Sequence, residues 1–412
     1  MHNLILVLNC GSSSMKAAVL DGITGESHLN VLAEKLGSAD ALMTTKTLGD
    51  KDVFYFKEHT THDHAVRKLL DILQQHGLSE AIIAVGHRVV HGGEKFHAST
   101  LITREVLEDI EHCIPLAPLH NPAHLLGIHA AQQAFPDLPH MAVFDTSFHQ
   151  TMPEHAYMYA IPRKYYRQNA VRRYGFHGTS YRYVSQTAAK MLKRKPEELC
   201  MVIAHLGNGA SVTAVKNGLS VDTSMGLTPL EGLIMGTRSG DIDPSIFEFL
   251  FDNKHMSIRQ INSMLNKDSG LLGISELSND CRTLEEHAAL GHDGAILALN
   301  MFAYRLAKYV ASMTVATGRL DALVFTGGIG ENSAYIREKT VAYLPHFGFN
   351  LSLEANNELK RGTEGRIDAG TGPQIWVVPT DEEGRIAKET EHVVEHEVFV
   401  DTKKSEDDAA LA

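Results

Sequence analysis

The sequence predicts an α/β protein of two domains, on three observations. The chain has 412 residues, more than one ordinary domain accommodates. Apolar runs of strand length recur along it and alternate with stretches of helical spacing. Each half also opens on the same pattern of strand, small-residue turn, strand and glycine, over residues 4–22 and again over 202–218.

Buried strands are expected at residues 4–8, 81–85, 141–144, 201–204, 322–325 and 375–378, each an uninterrupted apolar run. The clearest helix spans residues 293–317, where Ile296, Leu299, Phe302, Leu306, Val310 and Met313 fall near helical spacing. Aligning Gly11 with Gly207 also matches Ala18 with Ala214, Val19 with Val215 and Gly22 with Gly218. Hairpins with glycine turns recur by chance as well, so these identities alone leave duplication and coincidence level. The phosphate-binding character of both turns favours duplication. Residues 403–412, polar and acidic and then Ala-rich, read as a disordered tail.

Composition removes whole classes. With 43% hydrophobic and 21% charged residues the chain is neither disordered, collagenous nor a coiled coil. Its net charge of -12, with no long Lys/Arg run, argues against a nucleic-acid partner. The apolar opening at residues 4–8 is too short to span a membrane, and it lacks the basic flank of a signal peptide. Cys10, Cys113, Cys200 and Cys281 are scattered, with no CxxC pair, which suits a reducing cytoplasm and no structural zinc.

The chemistry-bearing residues cluster at strand ends and the loops after them, where α/β sheets place ligands. Asn9-Cys10-Gly11-Ser12-Ser13-Ser14-Met15-Lys16 joins small residues, hydroxyls and a cation, although it is no Walker A loop. His205-Leu206-Gly207-Asn208-Gly209-Ala210-Ser211 and Thr326-Gly327-Gly328-Ile329-Gly330-Glu331-Asn332-Ser333 are two more glycine-rich loops after strands. One such loop is weak; three together predict a nucleotide phosphate cradle. Gly86-His87-Arg88-Val89-Val90-His91-Gly92-Gly93 is expected to follow a strand as a loop. With Arg172-Arg173-Tyr174-Gly175-Phe176-His177 and Gly236-Thr237-Arg238-Ser239-Gly240, it sets cations beside glycines, as an anion clamp requires. Asp145 and the pair Glu382-Glu383 lie at strand ends and suit Mg²⁺.

Two histidine patterns read as decoys. His392-Val393-Val394-Glu395-His396 has the spacing of some zinc peptidases, but a chain with 24 His and many Glu meets it by chance, and little chain remains for a third ligand. His59, His62 and His64 read as a solvated polar loop rather than a metal site.

With these motifs in order, the chain resembles the acetate and butyrate kinase family from Leu4 to about Lys388. The resemblance rests on LNCGSSSMK, GHRVVHGG, PLAPLHNP, FDTSFHQTMP, RRYGFHGTSY, AHLGNGAS, DTSMGLTPLEGLIMGTRSGDIDP, GLLGIS, FTGGIGENS and PTDEEGRIA. It implies two duplicated ribonuclease-H-like domains of the actin-like ATPase kind, an interdomain cleft and a homodimer. The implied domains are residues 1–150, with a helix at about 384–400 packing back on them, and 151–383, which binds nucleotide and dimerises. The resemblance makes Asp145, His177 and Arg238 catalytic, Arg88 the substrate arginine, and Val90, Leu119, Phe176 and Pro229 the pocket around the acceptor's methyl group. It assigns Asn9 and Glu382 to Mg²⁺, with Mn²⁺ as a substitute. ATP contacts are implied for Ser12, Lys16, His205, Leu206, Gly207, Asn208, Gly209, Asp280, Cys281, Arg282, Gly328, Ile329, Gly330, Glu331 and Asn332. The chain departs from the family's Thr-Asn-Glu-Glu in carrying Thr380-Asp381-Glu382-Glu383, and the added charge bears on metal affinity.

The implied reaction is reversible transfer of the γ-phosphoryl group of ATP to acetate. It asks for in-line placement and charge neutralisation rather than a potent nucleophile. A kinase of propionate or butyrate is the alternative within the family, since one methylene separates these acids weakly. A non-catalytic actin-like ATPase is the alternative outside it, and would not need Arg88, His177 and Arg238. Asp145 is expected to position metal and phosphoryl group, because acetate is ionised at neutral pH and offers no proton to remove.

Overall fold

The structure, a computed structural model, describes residues 3–47, 49–56, 60–118 and 120–398. The chain forms two units: residues 148–380 make one, and the segments before and after them make the other. The expected tail at 403–412, Leu119 and His59 lie outside the described residues.

The first unit carries β1 (Leu4–Gly11), β2 (Ser14–Asp21), β3 (Ser27–Glu34), β4 (Leu42–Lys46), β5 (Lys51–Tyr55), β6 (Ile82–Val89), β7 (Thr100–Leu101) and β8 (His140–Phe144). They form one sheet in the order β5-β4-β3-β2-β1-β6-β8-β7. The apolar run of β1 is continuous because both its faces are covered. Leu4, Leu6 and Leu8 pack with Val66, Leu69 and Leu73 of the helix His62–Gln75. Ile5 and Val7 point to the other face and pack with Ile386 and Ala387 of the helix Glu382–Val393. That helix lies so close to β6 that a Cβ on Gly86 would come 2.3 Å from Thr390 Oγ1. Beyond Val393 the chain makes a π-helical turn, Val394–Val398.

The second unit carries β9 (Cys200–Leu206), β10 (Ala210–Lys216), β11 (Leu219–Thr223), β12 (Ala322–Thr326), β13 (Gly365–Arg366) and β14 (Gln374–Val377), in the order β11-β10-β9-β12-β14-β13. The helix Asp293–Thr317 has the expected bounds and buries Leu299, Phe302, Leu306, Val310 and Met313. Gly318, in the left-handed conformation at φ 75°, ends it.

The two sheets follow the same strand plan. In each, three antiparallel strands (β1–β3, β9–β11) are followed by two that run parallel to the first (β6 and β8, β12 and β14). The duplication is therefore one of topology. The residue identities that hinted at it are partly coincidental. Carrying Gly11 onto Gly207 carries Asn9 onto His205 and Lys16 onto Val212. Asn9 does face Lys16, but His205 faces Ser211. The second turn is one residue longer, so Ala18 and Ala214, and likewise Val19 and Val215, fall one pairing position apart and on opposite faces.

A second difference concerns Gly86, His87, Arg88 and Val89, which belong to β6 itself rather than to a loop after it. Pairing with β1 and β8 on either side keeps them extended.

Candidate active site

The first unit gathers one set of charged groups. Arg88 projects from β6, and Asp145 follows β8. Arg88 Nε and Nη2 donate to Asp145 Oδ1 and Oδ2 at 3.1 and 2.6 Å, a two-pronged pair that fixes the guanidinium plane. Glu382 Oε2 lies 4.0 Å from Arg88 Nε. Burial disfavours the Arg88 charge, but Asp145 and Glu382 outweigh it and raise its pKa. Burial also raises the Asp145 pKa, against the pull of Arg88. Nearby His124 is held neutral, its pKa pushed down to about 3 by burial and by the Arg88 charge. Arg88 is therefore the standing cation of this cluster.

Glu382 opens the helix Glu382–Val393, whose N-cap is Asp381: its Oδ1 accepts from Gly384 N at 2.9 Å. An asparagine would make the same bond, so the departure from the family pattern leaves the cap intact and adds negative charge to a helix N-terminus. Burial raises the Glu383 pKa; Lys16 opposes this, while Asp381 and Glu382 add to it. Asn9 faces Lys16 across β1 and β2, and Ser12 is exposed in the turn that follows. That turn is braced by His62, whose Nε2 bonds Gly11 O at 2.7 Å. His62 is thus a buried structural residue, and His64 caps its own helix, bonding Thr61 N and Oγ1.

The second unit gathers a different set. His177 is the left-handed N-cap (φ 59°) of the helix Gly178–Met191. Its Nδ1 is hydrogen-bonded to Ser211 Oγ at 2.9 Å, and its ring stacks on His205 with centroids 4.3 Å apart. A Cβ on Gly209 would lie 3.5 Å from His177 Nε2 and 3.4 Å from Arg238 Nη1, so the two side chains flank one backbone position. Arg238 is half-buried and donates to Pro229 O at 3.2 Å. No carboxylate pairs with it among the described residues, and burial lowers its pKa.

A cavity of about 380 Å³ opens beside this turn, lined by Gly207, Asn208, Asn279, Asp280, Cys281, Arg282, Glu285, Gly328, Ile329, Asn332, Ser333 and Arg361. Its volume suits a nucleotide-sized ligand. Gly327 must be a glycine: its φ is 76° and its side-chain position abuts the Leu206 backbone. The expected residues Gly207, Asn208, Asp280, Cys281, Arg282, Gly328, Ile329 and Asn332 are thus brought together. His205, Leu206, Gly209, Gly330 and Glu331 do not line this cavity. His205 bonds Ser180 Oγ at 2.8 Å, Leu206 is fully buried in β9, and Gly330 packs on Phe325 and Ala204. Glu331 Oε1 accepts from Gly327 N and Thr380 N, and the residue lines a smaller adjoining cavity of about 170 Å³.

Asn279, Glu285 and Arg361 are lining residues that the sequence reading missed, and Ser333 lines the cavity as the last residue of the third glycine-rich loop. Asn279 adjoins an expected stretch, while Arg361 comes from a distant irregular loop with no motif. Arg337 was missed too; buried, it donates from Nη1 to Gly330 O and Glu331 O at 2.9 and 3.0 Å and braces the glycine-rich turn. Of the residues expected around the acceptor methyl group, Val90 is buried in the first unit, and Phe176 is buried and Pro229 half-buried in the second. His392 and His396 are exposed and joined by a bond from His396 Nδ1 to His392 O. No group of three metal-ligating side chains occurs among the described residues.

The chain is similar to known proteins over most of its length. Acetate kinase 1 of Neisseria meningitidis serogroup A is 61% identical over 390 residues, covering 94% of this chain and 98% of that protein. The acetate kinase of Chromobacterium violaceum is 57% identical over 390 residues, 95% of this chain and 98% of its own. Among solved structures, a propionate kinase from Francisella tularensis superposes with a TM-score of 0.91 at 48% identity over 95% of this chain and 99% of that one. Acetate kinase of Porphyromonas gingivalis gives 0.90 at 44% identity over 95% and 100%. These matches give the two duplicated sheets their class, the two-domain actin-like ATPase fold. The acetokinase family model matches residues 4–388, and with relatives of this identity over nearly their whole length the chain belongs to the acetokinase family.

Proposed function

We infer that this chain, by its family an ATP-using phosphotransferase with a carboxyl group as acceptor, reversibly transfers the γ-phosphoryl group of ATP to acetate, giving ADP and acetyl phosphate in one in-line step. The observation that carries the reading is Arg238, a half-buried arginine that no carboxylate pairs with among the described residues. Arg238 and His177 flank Gly209, next to Asn208 of the nucleotide-sized cavity. Charge spread over the equatorial oxygens of a transferring phosphoryl group is what such donors stabilise.

In the first unit Arg88 receives the acceptor carboxylate. Asp145 occupies its Nε and Nη2, and Nη1 makes no bond among the described residues. Replacement of Arg88 by Ala is expected to raise KM for acetate at least ten-fold while KM for ATP moves less than three-fold, since a desolvated carboxylate loses its cation. Equal changes in both would remove Arg88 from this role.

The first unit also offers hard oxygen donors suited to Mg²⁺ or Mn²⁺. Burial and the neighbouring carboxylates raise the Glu383 pKa, a crowding of negative charge that a cation relieves. Asn9 and Glu382 would hold the ion, with nucleotide phosphates and water completing its shell, as Mg²⁺ requires. When bound, it would neutralise phosphate charge.

A homodimer fits the surface of the second unit. The helix Ser245–Lys254 buries none of its residues and exposes Ile246, Phe249 and Phe251. Phe249→Asp together with Phe251→Asp is expected to halve the mass measured by sedimentation; an unchanged mass would place the interface elsewhere. The four free, buried thiols suit a reducing cytoplasm, and no helix among the described residues is long and apolar enough to cross a membrane.

Trapping the acyl phosphate with hydroxylamine tests the function: hydroxamate must form from acetate and ATP together and from neither alone. Propionate is the second reading, favoured by the 48% identical propionate kinase structure, and the same assay ranks the two acids.

A further inference from the structure

We propose that Glu231 is a positioning residue of the reaction, clasping together the two chain segments that carry His177 and Arg238. The proposal rests on the phosphoryl-stabilising roles given to those two residues above. Glu231 lies in the irregular loop between β11 and the helix Ser245–Lys254, two residues after Pro229 and seven before Arg238. Its Oε1 accepts from Arg173 Nη2 at 2.6 Å, and its Oε2 accepts from the Tyr159 hydroxyl. Arg173 belongs to the segment that ends at His177, and its Nη1 donates onward to Thr223 O and Ser224 O at 2.7 and 3.1 Å. Tyr159 Oη in turn accepts from Leu227 N at 2.8 Å. One carboxylate thus receives both of its donors from the segment before His177, while those donors also hold the start of the Arg238 loop.

The backbone is shaped around this clasp. Tyr174 N donates to Gly226 O at 3.1 Å, joining the same two segments by their main chains. A Cβ on Gly226 would fall 1.7 Å from Glu231 Oε2 and 2.2 Å from Tyr159 Oη, so only glycine admits the carboxylate. The loop's far end is anchored separately: Gly232 N donates to Asp241 Oδ1 at 2.8 Å, and Met235 N to Arg238 O at 3.1 Å. The stretch from Pro229 to Arg238 is held at both ends, and the Arg238 bond to Pro229 O makes its aim depend on where Glu231 fixes the loop. The Glu231 side chain is 29% exposed, has both oxygens engaged and does not line the cavity.

The test compares Glu231→Gln, Tyr159→Phe and Arg238→Ala, alone and with Glu231→Gln and Arg238→Ala combined, in the full chain. Glu231→Gln keeps the shape but turns one acceptor into a donor facing a donor. Its kcat is expected to fall ten- to hundred-fold, with KM for ATP and acetate within three-fold of the parent. Tyr159→Phe, a milder loss that keeps the fold, should lower kcat three- to ten-fold in the same pattern. Because His177 is held separately by Ser211 and His205, Glu231 acts on the reaction through the Arg238 loop, and adding Glu231→Gln to Arg238→Ala should cost less than two-fold more. A kcat within two-fold of the parent in both Glu231→Gln and Tyr159→Phe would overturn the proposal, and so would losses that multiply in the double variant. Failure of the underlying reading shows differently, as an Arg238→Ala variant that retains full kcat.

Discussion

Arg238→Ala is expected to lower kcat by about 10³-fold or more, the scale of a missing phosphoryl-stabilising arginine, with nucleotide affinity nearly unchanged. The cause is electrostatic. A half-buried guanidinium without a carboxylate partner is held at a cost, which the lowered pKa of Arg238 records as desolvation. Where the fold uses an arginine for itself it engages the whole fork: Arg88 is paired with Asp145, Arg173 with Glu231, and all three nitrogens of Arg337 bond Asn356, Gly330 O and Glu331 O, whereas among the described residues Arg238 bonds through Nη1 alone. Sign and stability follow together. Burial disfavours the charged form, so removing the cation leaves the thermal midpoint unchanged or slightly raised while activity collapses, the expected exchange at a functional site. Nucleotide affinity is spared because Arg238 is not among the cavity's lining residues. Arg238→Lys should recover only part of the loss, since an ammonium supplies charge without the planar fork. A kcat within a few-fold of the parent in the Ala variant would remove Arg238 from the transition state.

What could be read from the sequence followed burial. The central strands β1, β6, β8, β9, β12 and β14 are apolar on both faces and betray themselves as continuous runs. By contrast β5 carries Val53, Phe54 and Tyr55 yet is exposed at every residue, so its apolar run does not mark a buried strand, and β7 and β13, of two residues each, are too short to carry a signal. β3 alternates His28, Asn30 and Glu34 with apolar residues, the mark of a half-covered strand that a search for unbroken runs passes over. The glycine-rich turns were legible because phosphate approach demands small residues in a short stretch. Pairs such as Arg88 with Asp145, 57 positions apart, and Arg173 with Glu231, 58 apart, were not, since only the sheet and loop topology brings them together. The departure at Asp381 looked like a metal-site change in sequence; its bond to Gly384 N shows it serving as a helix cap.

Asp145→Asn is expected to lower kcat about 10³-fold and to raise KM for acetate alongside it. Both oxygens of Asp145 are committed to Arg88, and its side chain is only 2% exposed, against 21% for Arg88. An amide of the same shape presents an NH₂ group where a guanidinium must donate. It also leaves the Arg88 charge to Glu382 alone, at 4.0 Å. A misplacement of about 1 Å in the groups that position a substrate costs about 10²-fold, and the Arg88 charge left without its partner adds to it, so a large loss needs no proton transfer. Nor does the chemistry call for one: acetate, a simple carboxylate, is ionised throughout the neutral range, and a base would have nothing to abstract. The kcat of the parent should therefore be flat between about pH 6 and 8 with respect to this residue. The raised pKa of Asp145 sets the sign at the acid end: as pH falls through it, the carboxylate is protonated, Arg88 loses its anchor, and KM for acetate climbs before the protein unfolds. Titrating activity against pH in the parent and in Asp145→Asn decides the matter. An ionisation near neutrality that disappears in the variant, with KM for acetate unmoved, would make Asp145 a proton acceptor and refute its role as the residue that aims Arg88.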